Sequence, residues 1–134
     1  MAAFKARILL IFAILLCASC SIKHADVQVI SLNEGELALS GGIKSYEDGD
    51  YKEAARLLKE ALSKGLPAKS DQVKAHKYLA FVDCVTGQRK KCASEFKKAL
   101  KIDPNFDLHP AEAGHPIWGP TFRSVKARMA QGEY

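Results

Sequence analysis

The chain has 134 residues, with 20 basic and 15 acidic side chains for a net charge of +5, and 48% of its residues are hydrophobic. The length suits one small domain. The charge excess is too mild to argue for a nucleic-acid partner.

The chain opens "MAAFKARILLIFAILLCASCSIKH", with Lys5 and Arg7 ahead of an unbroken apolar run from Ile8 to Leu16 and small residues up to Cys20. A basic leader, a short apolar stretch and a small-residue site are the parts of a secretory signal, here residues 1–19. Nine strongly apolar residues fall short of the roughly 20 that cross a bilayer as a stable anchor. The competing reading is a buried core helix. Leu16-Cys17-Ala18-Ser19-Cys20 resembles the bacterial lipobox, good at Ala18 and Ser19 and imperfect at Cys17, where leucine is usual. That resemblance implies a covalent lipid on Cys20 as the only attached group; no other cofactor is expected. Ser21 in place of aspartate resembles lipoproteins of the outer membrane with the domain in the periplasm. Cleavage near Ala18 or Ala25, giving a soluble periplasmic protein, is the alternative. Without residues 1–19 the net charge falls to +3, because Lys5 and Arg7 leave with the leader.

Residues 20–33 carry no helical periodicity and read as an extended tether. Ser31-Leu32-Asn33-Glu34 has the S-x-x-E form of a capping box and starts a helix that runs toward Asp48. Gly49-Asp50 breaks it, and Asp50-Tyr51-Lys52-Glu53 offers a second box. Ala54, Leu57, Leu58, Ala61 and Leu62 then fall at the spacing of one buried helix face. Gly65-Leu66-Pro67 ends that helix. Ser70 or Asp71 suits the cap of a third helix, in which Ala75, Leu79 and Val82 form one stripe and Tyr78, Phe81 and Val85 another. After the turn at Gly87, a fourth helix carries Cys92, Phe96, Ala99 and Leu100 and closes at Asp103-Pro104. The predicted class is all-α, with one helical hairpin over 34–67 and a second over 70–106. Residues 107–134 form a proline-rich loop and a final helix with Trp118, Phe122, Val125 and Met129 on one face. That helix is expected to cap the second hairpin, and Trp118 is alternatively the anchor for a partner.

Aligned on their turn glycines, the hairpins repeat a pattern: Gly49, Ala54, Leu58, Ala61 and Leu62, then Gly87, Cys92, Phe96, Ala99 and Leu100. Those positions resemble the tetratricopeptide repeat, a helical hairpin of 34 residues ending in proline, here Pro104 in the second unit. Ala38 and His76 replace the usual tryptophan-like residue, and Ser45 and Asp83 the usual tyrosine. Gly41-Gly42 stands where Leu-Gly is common. Each glycine costs about 1 kcal/mol inside a helix, so one of the two is expected to mark a close helix approach. Carried over residue by residue, the resemblance implies a partner-binding face of Leu39, Ile43 and Tyr46 in the first unit and Lys74, Lys77, Tyr78 and Phe81 in the second. Lysines beside aromatics suit a peptide with acidic and apolar groups. The apolar members read equally well as filling between the hairpins.

The mature chain, above all "CVTGQRKKCASEFKKALKIDPNFDLHPAEAGHPIWGPTFRSVK", is similar to small repeat lipoproteins associated with type VI secretion systems, the TssQ-like group. This resemblance implies an accessory scaffold that docks to a protein component of an envelope secretion complex. Its oligomeric state stays open. A pilotin-like or outer-membrane-assembly lipoprotein, and a periplasmic cell-wall-binding protein or enzyme, are the competing readings.

No H-E-x-x-H, phosphate-binding glycine loop or G-x-S-x-G occurs in the sequence, and the expectation is a protein that is not an enzyme. His109 and His115 bracket Glu112, but surrounding prolines and the lack of a matching cysteine pair argue against a metal site. Cys84 and Cys92 flank Gly87 eight positions apart. In an oxidising compartment, with one on each helix of a hairpin, they are expected to form a disulfide. Zinc would need two further ligands, and redox work would favour C-x-x-C.

Overall fold

The computed structural model describes residues 33–133. The expected leader over 1–19, the lipidated Cys20 and all of the tether before Asn33 lie outside the described residues. Those that are described form six helices and no strand, in the predicted hairpin order.

Helix α1 (Glu34–Glu47) starts two residues later than the capping box read from the sequence. Asn33 is the cap. Its carboxamide oxygen accepts from the Glu36 N–H at 2.9 Å, and the Glu36 carboxylate accepts from the Asn33 N–H at 2.8 Å. The box is therefore Asn33–Glu36, since asparagine caps as well as serine and the acid must sit three residues on. Helix α2 (Tyr51–Lys64) follows a turn in which Gly49 takes a φ of +80°. Asp50 accepts from the Glu53 N–H at 3.0 Å. The return half of this second box is not made, because the Glu53 carboxylate grips Arg56 at 2.6 Å instead.

Helix α3 (Lys69–Val85) is capped by Ala68, with no side-chain bond, and not by Ser70 or Asp71. The buried Leu66 fixes where the chain turns in, and Gln72 holds its carbonyl at 2.7 Å. The helix accordingly begins early enough to place Asp71 in its first turn, paired with Lys74 at 3.0 Å. Helix α4 (Arg89–Ile102) returns from a turn in which Gly87 has a φ of +78°. Cys84 and Cys92 are joined across that turn by a disulfide, with their Cα atoms 5.2 Å apart. A short α5 (Pro110–Ala113) and then α6 (Gly119–Ala130) complete the chain.

α1 packs on α2, α3 packs on α4, and α3 also rests on both helices of the first hairpin. The first pair comes close at Gly42, where an added Cβ would stand 2.8 Å from Leu58 Cγ. That is the expected compensation for one of the paired glycines. Leu58, Ala61, Ala75 and Leu79 fill the core between the hairpins. A second core holds Phe81, Phe96, Phe122 and Val125 with both bridged cysteines. Phe122 meets Phe96 edge-on at 5.1 Å, and Trp118, Phe122 and Val125 are buried, so α6 covers the outer face of the second hairpin as its stripe predicts. Each buried phenylalanine contributes about 1.5–3 kcal/mol by leaving water. No helix among the described residues is long and apolar enough to cross a membrane.

Candidate functional site

Two adjoining cavities open along α3. One, of about 480 Å³, lies between α1 and α3 and is lined by Leu39, Ile43, Lys44 and Lys74 among others. The other, of about 570 Å³, is lined by the apolar Val73, Ile102 and Phe106 and by the ammonium groups of Lys69, Lys74 and Lys77. Lys74 belongs to both. Its side chain is about half exposed, and its only partner among the described residues is Asp71, one turn back on the same helix. An exposed pair of this kind is worth at most about 1 kcal/mol and gives way readily to a better anion.

The eight residues expected on the partner face divide sharply. Ile43, Tyr46 and Tyr78 are half-buried with one side open, and Lys74 is exposed. Leu39, Phe81 and Trp118 are only 5%, 2% and 7% exposed. For Phe81 and Trp118 this burial matches the alternative readings, filling and capping, and leaves no side chain free for direct partner contact, whereas Leu39 is mostly buried and still lines the cavity between α1 and α3. Leu39 belongs to the core between the hairpins, while Phe81 and Trp118 stack with ring centres 4.4 Å apart. The Trp118 indole N–H also donates to the Glu112 carbonyl at 3.0 Å, which satisfies its one polar atom inside the protein.

Lys77 departs from expectation for a different reason. Its ammonium pairs with Glu112 of α5 at 2.6 Å, both side chains being mostly covered, and stands 4.8 Å from the centre of the Tyr78 ring. The segment after Pro104 thus folds back over this end of α3. His115 lies flat on Trp118, and Glu112 is taken up by Lys77 and by the His109 N–H at 3.1 Å. The His109–Glu112–His115 trio is thereby used in holding the loop. Among the described residues no group of three or more histidines, cysteines or acids is arranged to hold a metal.

Tyr46 and Tyr78 meet edge-on with centres 5.2 Å apart, and Tyr51 lies 5.9 Å from Tyr46. Burial pushes the Tyr46 phenol up to about 12, with the charges of Tyr51, Tyr78 and Glu112 adding to it. Tyr78 is raised for the same first reason. Both remain neutral hydrogen-bonding groups at any physiological pH, beside an apolar wall.

Two polar features were not foreseen from the sequence. His76 Nδ1 donates to Glu95 at 2.7 Å, with both side chains 13% exposed, and Lys98 joins from the solvent side at 2.6 Å. Burial pushes the Glu95 carboxyl up, and the bonds from His76 and Lys98 outweigh it, leaving the group below its ordinary value. Asp83 is 8% exposed. A carboxylate among Phe81, Val82 and Cys84 was the available signal, since an acid on a face that is otherwise apolar must be accounted for.

No family model, curated protein or solved structure matches the chain.

Proposed function

We propose that this chain is a non-catalytic envelope lipoprotein with two hairpins of the tetratricopeptide type, which binds a protein partner through the open side of α1 and α3. The observation that carries this reading is the pair of cavities joined at Lys74. Apolar walls from Ile43, Val73 and Phe106 run beside Lys44, Lys69 and Lys74, with Glu36, Glu47, Asp71 and Asp103 also on the linings, which suits an extended or helical segment with apolar side chains and acidic groups that meet the lysines. The lipobox-like Cys20 would hold this face at the outer membrane, several acyl chains giving effectively permanent attachment. The sequence likeness of residues 84–126 to type VI secretion lipoproteins supports an accessory role in that class of machine.

Affinity capture from native membranes, with the wild-type chain and a Lys69→Glu/Lys74→Glu variant side by side, tests the reading. The expected result is recovery of a secretion-system component with wild type and its loss with the variant. Recovery of a pilus secretin without any secretion-system component, or clear binding or hydrolysis of peptidoglycan by the purified protein, would reject it. A Cys20→Ser variant is expected to leave the membrane fraction.

A further inference from the structure

Between α2 and the turn joining α3 to α4 lies a third cleft, of about 580 Å³, which shares no residue with the two cavities of the partner face. Asp83 lines it. This is the only buried charged residue among those described, and its carboxylate has no hydrogen-bond donor among them. The charges facing it are Lys59 from α2 and Lys91, Lys98 and Glu95 from α4, none of them in hydrogen-bond contact with it. Burial is the largest influence on this group and raises its proton affinity. No fully buried side-chain nitrogen or oxygen among the described residues lacks a partner, so the Asp83 oxygens reach the solvent of the cleft, where the ammonium of a ligand can take the place of water.

The rim supplies the complementary half. Lys52 and Lys59 of α2 have no ion-pair partner among the described residues, and Lys91 of α4 bonds only to the neutral Gln88 carboxamide, at 2.5 Å. Arg56, also on the rim, is already neutralised by Glu53 and Glu60. The cleft therefore combines three ammonium groups that have no acidic partner among the described residues with one mostly covered carboxylate that no described group bonds, and its net charge is positive. A simple anion would satisfy the lysines and be repelled by Asp83. A simple amine would do the reverse.

We propose that this cleft binds a small amino-phosphate, with a primary ammonium donating to Asp83 and a phosphate monoester held by Lys52, Lys59 and Lys91. The two charges of a monoester match the excess of lysine over carboxylate better than the single charge of a phosphodiester, such as a phospholipid headgroup. Tyr51 and Thr86 are also on the lining, the Thr86 hydroxyl being held by the Val82 carbonyl at 2.7 Å. Recognition uses charge-assisted hydrogen bonds at both ends of the ligand, so neither half alone should bind well.

The test is an amide NMR titration of the oxidised full chain in detergent with four probes: O-phosphoethanolamine, sn-glycero-3-phosphoethanolamine, inorganic phosphate and ethanolamine. Saturable shifts are expected at Tyr51, Asp83, Thr86 and Gln88 with O-phosphoethanolamine, at least about tenfold tighter than with inorganic phosphate or ethanolamine. The glycerol diester should bind more weakly than the monoester; the opposite order would overturn the monoester assignment in favour of a lipid headgroup. Asp83→Asn should bring O-phosphoethanolamine down to the level of inorganic phosphate. Lys52→Gln/Lys59→Gln, both at exposed positions that do not endanger folding, should weaken both phosphates and keep their ratio. Equal binding of phosphate and O-phosphoethanolamine to wild type, an unchanged ratio in Asp83→Asn, or shifts confined to other parts of the chain would each overturn the proposal.

Discussion

Opening the Cys84–Cys92 bridge is expected to lower stability by about 2.5 kcal/mol. The bond ties the last turn of α3 to the first turn of α4 and closes a loop of nine residues. In the chain-entropy picture a loop of that size removes about 2.5 kcal/mol of freedom from the unfolded chain. The native side should change little. Both cysteines sit in the core with Phe81 and Phe96 at 5% exposure or less, and a reduced thiol packs there as a small apolar group. The effect is thus one on the denatured state, which fixes the controls. Urea unfolding followed by far-ultraviolet circular dichroism should be run on the oxidised protein, the reduced protein and a Cys84→Ala/Cys92→Ala variant. The last two should agree within about 1 kcal/mol and lie about 2.5 kcal/mol below the first. Their urea dependence should be somewhat steeper, because a chain without a cross-link exposes more surface on unfolding. In a thermal melt the same loss amounts to a fall of about 10–20 °C for a domain of this size. A difference under about 0.5 kcal/mol would refute the reasoning, since the α3–α4 turn would then be as restricted in the unfolded chain as the disulfide makes it. Free thiols at both positions in protein isolated from the periplasm would refute it at the start.

Three further outcomes follow from local geometry. Gly42→Ala should destabilise by about 1–3 kcal/mol, because its Cβ would stand 2.8 Å from Leu58 Cγ in a filled core; Gly41→Ala, meeting only the tip of Leu57 at 3.3 Å, should gain about 0.5–1 kcal/mol from helix propensity. Paired urea midpoints check both, and equal effects would show that helix approach is not what selects Gly42. Asp50→Ala should lose about 1 kcal/mol by leaving the Glu53 N–H without its acceptor, whereas Ser70→Ala, at a position that caps nothing, should be within about 0.5 kcal/mol of wild type. The Glu95 carboxyl is depressed in the folded protein, so its contribution is present above the ordinary value near 4.5 and is lost as pH falls through the lower folded value. Glu95→Gln should flatten the fall in urea midpoint as pH drops below the ordinary carboxylate value, and an unaltered slope would count against the His76–Glu95–Lys98 cluster as an acid-sensitive element.

Periodicity carried the helices and both hairpins because burial imposes it directly. Leu58 with Ala61, and Phe96 with Ala99 and Leu100, lie on faces that face nothing but other apolar groups. Helix starts were less legible. Ser31, Asn33, Ser70 and Asp71 are all competent caps by residue type, and the choice falls to tertiary anchors such as Leu66 that the local sequence does not display. Accessibility along α1 and α3 was legible in part, since Ile43, Tyr46, Lys74 and Tyr78 are not buried where the repeat pattern turns them outward. Lys77 lines the cavity on α3, but its ion pair was not legible, because Glu112 is 35 positions away in a proline-rich loop whose path no helical period describes. Asp83 appeared only as a departure from the repeat pattern. Its burial depends on α2 and α4 closing around it, which no single helix reveals.

The fold-back of residues after Pro104 has a consequence for where a partner can bind. An open pair of hairpins would present aromatic and basic groups along the whole length of α3, and Phe81 with Lys77 would be its strongest point. Instead Trp118 covers Phe81 and Glu112 neutralises Lys77, so the chain supplies its own aromatic and acidic groups to the end of α3 nearest the second core. The open end has similar chemistry with less of it covered: Lys69 has no ion-pair partner among the described residues, Lys74 has only the exposed Asp71, and Ile43 and Phe106 are partly open. On the proposed function, the internal contact is a template for a partner segment that pairs an acid with an apolar group. A partner segment that repeats the acid-and-aromatic pairing of Glu112 and Trp118 can continue along α3 toward Lys69 without displacing either. One that requires Phe81 must first break a part-buried ion pair and a stacked indole, a combination costly enough to direct binding to the α1 side.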